Sequence, residues 1–227
     1  MSVRIGVLVS GTGTNLQALL DAQARGELAP AQIAVVVSNR ADAAALPRAA
    51  QAGVPAVFVD HRGLPREVFE DQLLAALAAH GVVPPAAGAP EATTGAPEAT
   101  TGATGGAVIL AGFMRVLTAH FVDRFPHRIV NTHPSLLPAF PGADAIPQAL
   151  AHGAKLTGVT IHFVDATLDG GPIITQVAIP VEDGDDAAAL RARIQREEHR
   201  LLPRVVQRLA AGRLSCQGRH VTGFRAE

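Results

Sequence analysis

The stretch VRIGVLVSGTGTNLQALL, residues 3–20, runs from a β-branched apolar segment through a Ser-Gly-Thr-Gly turn into a helical pattern. Val3–Val9 shows no polar alternation, which predicts a strand covered on both faces. Backbone N–H groups opening the next helix, together with its dipole, favour an anion, and glycines let a phosphate approach the chain. The turn lacks the third glycine of a dinucleotide fingerprint, because Leu16 stands there, and it has no Gly-Lys-Ser/Thr of a P-loop. After the second strand come Ser38-Asn39-Arg40 instead of the acidic residue an NAD ribose needs. A phosphomonoester is therefore favoured over a dinucleotide, with a plain capping box between Thr14 and Gln17 as the structural alternative.

Outward from this stretch, Ile33–Val37, Ala56–Val59, Val108–Ala111 and Ile129–Asn131 repeat the buried-strand pattern. Helical patterns at Asn15–Arg25, Ala43–Ala52 and Arg66–His80 alternate with them, the last with Phe69, Leu73 and Leu77 on one stripe and Gly81 as its C-terminal cap. The series predicts an α/β fold with a mostly parallel, doubly wound sheet. Gly158–Val164 and Ile173–Ile179 flank Leu168-Asp169-Gly170-Gly171 and read as a C-terminal hairpin, followed by a long helix over Asp186–Ala211. One domain over residues 1–227 is expected. GAPEATT occurs at 88–94 and again at 95–101, then GAT, so residues 86–106 read as a low-complexity flexible loop at the sheet edge away from the ligand.

Net charge is -1 with Lys and Arg scattered, which argues against a nucleic-acid or membrane partner and for a small molecule. Cys216 is the sole cysteine, so no intrachain disulfide is possible, and a reducing, cytoplasmic setting fits. The nine histidines show no H-x-x-x-H or H-E-x-x-H spacing, and no metal is expected.

Three further stretches could carry chemistry. Asn131 and His133, two apart in a strand, share one face, and Pro134 ends the pairing. An amide donor beside an imidazole suits proton transfer at a carbonyl, although a histidine near an apolar strand is often structural. Asp165-Ala166-Thr167-Leu168-Asp169-Gly170-Gly171-Pro172 is a turn whose carboxylate could reach and orient that imidazole. On the last helix Leu190, Ile194, Leu201, Val205 and Leu209 form an apolar stripe that includes Glu198, whose carboxylate needs a partner: a ligand nitrogen, an arginine or a helix end.

Together SGTGTNLQALL, LAGFMRVL, NTHPSLLPAFPG, GVTIHFVD, LDGGPII and IQREEH resemble the folate-dependent formyltransferase family, and within it the phosphoribosylglycinamide formyltransferases, or glycinamide ribonucleotide transformylases. The resemblance implies a Rossmann-like formyltransferase fold. It also implies formyl transfer from 10-formyltetrahydrofolate to the amine of glycinamide ribonucleotide in purine (IMP) synthesis. By the same resemblance Asn131 would bond the formyl oxygen, His133 would be the proton donor, and Asp169 would keep the imidazole charged and aimed. Gly13, Thr14 and Asn15 would hold the substrate phosphate, with Gln195, Arg196, Glu197 and Glu198 completing that pocket. Arg66, Met114, Arg115, Val116, Leu117, Asn131, Asp165, Ala166, Thr167, Leu168 and Asp169 would line the folate site. A monomer or homodimer is expected.

The chain departs from the family at Asp144, where well-known members carry a histidine, and at the GAPEATT insertion. A formyltetrahydrofolate hydrolase and a non-catalytic folate or phosphosugar binder on the same fold are the alternatives. The hydrolases carry an additional N-terminal domain and the methionyl-tRNA formyltransferases a C-terminal one; neither is expected here.

Overall fold

The computed structural model describes residues 2–85 and 105–226. Most of the low-complexity segment expected to be a flexible loop, residues 86–104, therefore lies outside the described residues.

Nine strands among the described residues form one sheet in the order β3-β2-β1-β4-β5-β6-β7-β9-β8. The first five, β1 (Val3–Val9), β2 (Ala31–Ser38), β3 (Ala56–Phe58), β4 (Ala107–Leu110) and β5 (Ile129–His133), are mutually parallel. β6 (Leu156–Phe163) adds to β5 antiparallel, and β7 (Ile173–Pro180) adds to β6 in the expected hairpin. Buried apolar side chains on both faces explain why β1, β2 and β4 read as unbroken runs: in β1 only Arg4 is exposed. β3, read from sequence as another buried strand, is instead an edge strand with Ala56 and Phe58 exposed.

One face is covered by α1 (Thr14–Ala24), α2 (Ala45–Gln51), α5 (Ala145–Ala151) and the 24-residue α6 (Ala187–Ala210), which bring Leu16, Leu19, Ala45, Ile146, Leu190 and Leu201 into one core. The other face is covered by α3 (Arg66–Ala79) and α4 (Ala119–Val122), with Phe69, Leu73, Leu77 and Phe121 buried. The stripe predicted for α3 is the one it buries. Gly81 follows the helix at φ +73, its N–H bonded to the Ala78 carbonyl, as a C-terminal glycine cap requires.

α4, α5 and the hairpin of β8 (Ser215–Gln217) and β9 (His220–Thr222) were not anticipated. Segments of three to seven residues carry too little periodicity to read. Strand order reverses between β1 and β4, the switch point where open α/β sheets bind ligands beyond their C-terminal strand ends. Two bonds tie the loops there: Ser10 N–H to the Gly112 carbonyl at 3.1 Å, and Met114 N–H to Ser10 Oγ at 2.8 Å.

Candidate active site

β5 ends at this ligand edge, and its last three residues are Asn131, Thr132 and His133. The pleat sends Asn131 and His133 to one face and Thr132 to the other. Each face carries a separate network.

On the first face, His133 Nε2 stands 2.8 Å from the Phe140 carbonyl. A carbonyl only accepts, so Nε2 bears a hydrogen and Nδ1 is the nitrogen left to exchange protons. Nδ1 lies 3.5 Å from Asp169 Oδ2, with both side chains nearly shielded from solvent. That is long for a direct hydrogen bond yet inside the range where opposite charges stabilise each other. The Gly142 N–H donates to the same carboxylate oxygen at 2.8 Å, so the Pro141-Gly142 segment supports Asp169 through its backbone, two residues before Asp144. Asp169 comes from the loop between β6 and β7 and sits at φ +49, a conformation aspartate tolerates better than most side chains. Earlier in that loop Asp165 Oδ1 accepts from Thr167 N–H at 2.8 Å, closing a local turn.

Asn131 is oriented by His162, its cross-strand partner on β6. His162 Nδ1 donates to the Phe163 carbonyl at 2.8 Å, which leaves a lone pair on Nε2 for the Asn131 amide, 3.2 Å away. Burial is the main reason the His162 imidazole is held below its ordinary pKa, in keeping with a neutral ring. One hydrogen of the Asn131 amide is thereby taken, and the second is left for an oxygen beside the His133 ring. The face thus offers an oxyanion donor, a proton carrier and a carboxylate to orient it.

On the second face, Thr132 Oγ1 donates to Glu198 Oε1 at 2.9 Å and Asn15 Nδ2 donates to Glu198 Oε2 at 3.2 Å. Burial pushes the Glu198 carboxyl above its usual range, and the bonds from Thr132 and Asn15 pull it back. Its hydrogen-bond partners are therefore a hydroxyl and an amide and no helix end, while the arginine considered from sequence is present as Arg191, whose charge also favours the carboxylate. Gly11 to Asn15, Thr132, Arg191, Gln195 and Glu198 line a cavity of about 200 Å³. Gly13 is the N-cap of α1 at φ +74, with no side-chain cap. The capping-box alternative therefore falls, since Gln17 instead bonds Asp21 and Arg48. Asn15 Oδ1 is buried without a partner among the described residues, an acceptor for a ligand donor.

Other sequence-derived candidates divide. Arg196 and Glu197 lie off the cavity because residues three apart, not adjacent ones, share a helix face; Arg196 is exposed and Glu197 pairs with Arg200 at 2.9 Å. Met114 lines this cavity and, with Arg115, a second one of about 610 Å³ floored by Ser10 and Asn39. The Arg115 guanidinium sits 5.3 Å from the Phe69 ring centre. Val116 is exposed, whereas Leu117 belongs to the apolar core below α3, so its side chain is not a lining group. Arg66 is exposed at the first position of α3; Ala166, Thr167 and Leu168 are exposed on their loop, and Asp165 is half-buried.

His162, Thr132 and Gly142 were missed as site residues. The register of β6 brings His162 and loop closure brings Gly142, neither of them a local sequence signal, whereas Thr132 follows from the pleat of β5 and joins the site only because Glu198 packs on that opposite face. Among the described residues no group of three His, Cys, Asp or Glu is placed to hold a metal ion.

This fold and this pairing of an amide, an imidazole and a carboxylate at a parallel-sheet edge accompany a clear family match: the formyl transferase family pattern covers residues 3–206, and the chain belongs to that family. The phosphoribosylglycinamide formyltransferase of Mycobacterium tuberculosis is 42% identical over 228 residues, covering 96% of this chain and 93% of that protein. A crystal structure of glycinamide ribonucleotide transformylase 1 from Symbiobacterium toebii superposes with a TM-score of 0.85 at 45% identity, covering 99% of this chain and 95% of that one. The trifunctional purine biosynthetic protein adenosine-3 of Drosophila pseudoobscura is 40% identical over 215 residues; the chain spans only 14% of its length.

Proposed function

We propose that the chain transfers a formyl group from 10-formyltetrahydrofolate to the amine of glycinamide ribonucleotide, a step of purine synthesis. The observation that carries this reading is the meeting of Asn131, His133 and Asp169 on one face of β5, back to back with the Gly11–Asn15 cavity. The substrate amine attacks the formyl carbon, and the free hydrogen of the Asn131 amide meets the oxygen as it becomes an oxyanion. Collapse breaks the bond from that carbon to N10 of the folate. His133 supplies the proton N10 needs, and the extra proton of the attacking nitrogen passes to the imidazole so vacated, through water, which returns the ring to its starting state. Formylated substrate and tetrahydrofolate leave. Asp169, 3.5 Å from His133 Nδ1, aims the ring.

On the second face, the substrate phosphate binds the amides of Gly13, Thr14 and Asn15 at the open helix start. Glu198 and Gln195 face the sugar and glycinamide. Met114, Arg115 and the 165–169 loop flank the folate, and residues 1–227 act as one formyltransferase domain.

The test is a formyl-transfer assay on the parent and on His133→Ala, Asn131→Ala and Asp169→Asn. Each variant should lose about 100- to 10,000-fold in kcat and keep its affinity for glycinamide ribonucleotide. Full activity in His133→Ala would remove its role. Formate release at equal rate without the ribonucleotide would instead identify a hydrolase, and binding without turnover in the parent a carrier.

A further inference from the structure

Three consecutive residues of the phosphate loop are held from behind by one short helix. Ala45, the first residue of α2, donates its N–H to the Gly11 carbonyl at 3.2 Å. A Cβ built on Gly13 would stand 2.7 Å from Ala45 Cβ and 2.9 Å from its Cα, so the helix backbone fills the space behind the loop. Between these two contacts, half-buried Arg48 sends Nε to the Thr12 carbonyl at 2.9 Å and Nη1 to Gln17 Oε1 at 3.1 Å.

We propose that Arg48 is a positioning residue for substrate phosphate, acting through the Thr12 carbonyl; the proposal rests on the reading of the Gly11–Asn15 cavity as the phosphate pocket. In a trans peptide the C=O and the following N–H point in opposite directions. Drawing the Thr12 oxygen toward α2 turns the Gly13 N–H away from α2, to the side where Gly11 to Asn15 line the cavity. A glycine loop left free would sample other peptide orientations, since glycine restricts φ and ψ least. The guanidinium removes that freedom with a charge-assisted bond, and its second arm fastens the loop to the first turn of α1. Arg48 needs no contact with the ligand to do this.

A structural role elsewhere would disturb both substrates; a role in the phosphate loop disturbs one. Steady-state kinetics of Arg48→Ala should show KM for glycinamide ribonucleotide raised about 10-fold or more, with kcat and KM for 10-formyltetrahydrofolate within twofold of the parent. Arg48→Lys can still give one N–H to the Thr12 carbonyl and should recover part of the loss. Gln17→Ala, which frees only the second arm, should raise KM by less than Arg48→Ala. Should Arg48→Ala not fold, the Lys and Gln17 variants carry the comparison. Calorimetric titration with ribose 5-phosphate provides a readout independent of turnover: its Kd should rise in step with KM. Unchanged KM and ribose 5-phosphate affinity in Arg48→Ala would overturn the proposal, as would equal losses for both substrates. If the parent does not formylate glycinamide ribonucleotide, the function assigned above fails, and the ribose 5-phosphate titration still decides the role of Arg48.

Discussion

The two sides of the β5 terminus are finished to different degrees. Behind Thr132, Glu198 is buried and bonded to both Thr132 and Asn15, and α2 holds the glycine loop in place. The segments assigned to folate instead leave Met114 71%, Val116 51% and Leu168 57% exposed. Under the proposed assignment the contrast follows from the ligands. A phosphate is recognised by a few directed N–H groups, and any that must reorganise on binding weaken it. A flat apolar ring system is recognised by contact area, so the side chains it covers must be bare before it arrives.

The largest effect expected from this contrast is on the finished side. Gly13→Ala places a Cβ against the Ala45 backbone at φ +74, so the loop must shift. A loop displaced by a fraction of an ångström at a site of fixed donors should raise KM for the ribonucleotide on the order of 100-fold. KM for folate should stay near the parent value, and equal KM for the ribonucleotide in the variant would show that the loop is not preset.

The open side should answer in the opposite way. Met114→Ala and Leu168→Ala remove apolar surface that is exposed in the free protein, so unfolding free energy should move by no more than about 0.5 kcal/mol. Folate KM should nevertheless rise about 10-fold, the equivalent of one apolar side chain losing its buried area. Denaturant melts and folate kinetics on the same preparations check both halves. A stability loss without a change in folate KM would mean these side chains serve the fold.

The same contrast marks what the amino-acid sequence reveals. The strand, glycine turn and helix of residues 3–24 are local, and so is the i, i+2 geometry of Asn131 and His133; both are present in the structure as read. Glu198 was recognisable as a carboxylate on an apolar stripe, but its partners are 66 and 183 residues away in sequence. His162 reaches Asn131 only through the register of β5 with β6. Gln195 and Glu198 separate from Arg196 and Glu197 once the helix phase is fixed by packing, a distinction the motif IQREEH does not carry by itself.

The smallest effect is expected at the GAPEATT insertion. Pro85 and Gly105 lie against each other, since a Cβ on Gly105 would stand 2.7 Å from the Pro85 Cα, and Gly106 N–H reaches the Val83 carbonyl at 2.7 Å. The junction opens β4 at its N-terminal end, whereas Met114 follows the C-terminal end of β4 and Asn131 lies in the C-terminal part of β5. Removing residues 88–104 leaves Ala86 and Ala87 to close a gap whose ends already meet, and loop-closure entropy favours the shorter connection. Activity on both substrates should stay within about twofold, because the junction residues Pro85 and Gly105 stand at the N-terminal edge of the sheet, away from the site. A large rise in folate KM alone would instead make the insertion the missing cover of the open side, and the difference between the two sides would then be one of chain, not of ligand.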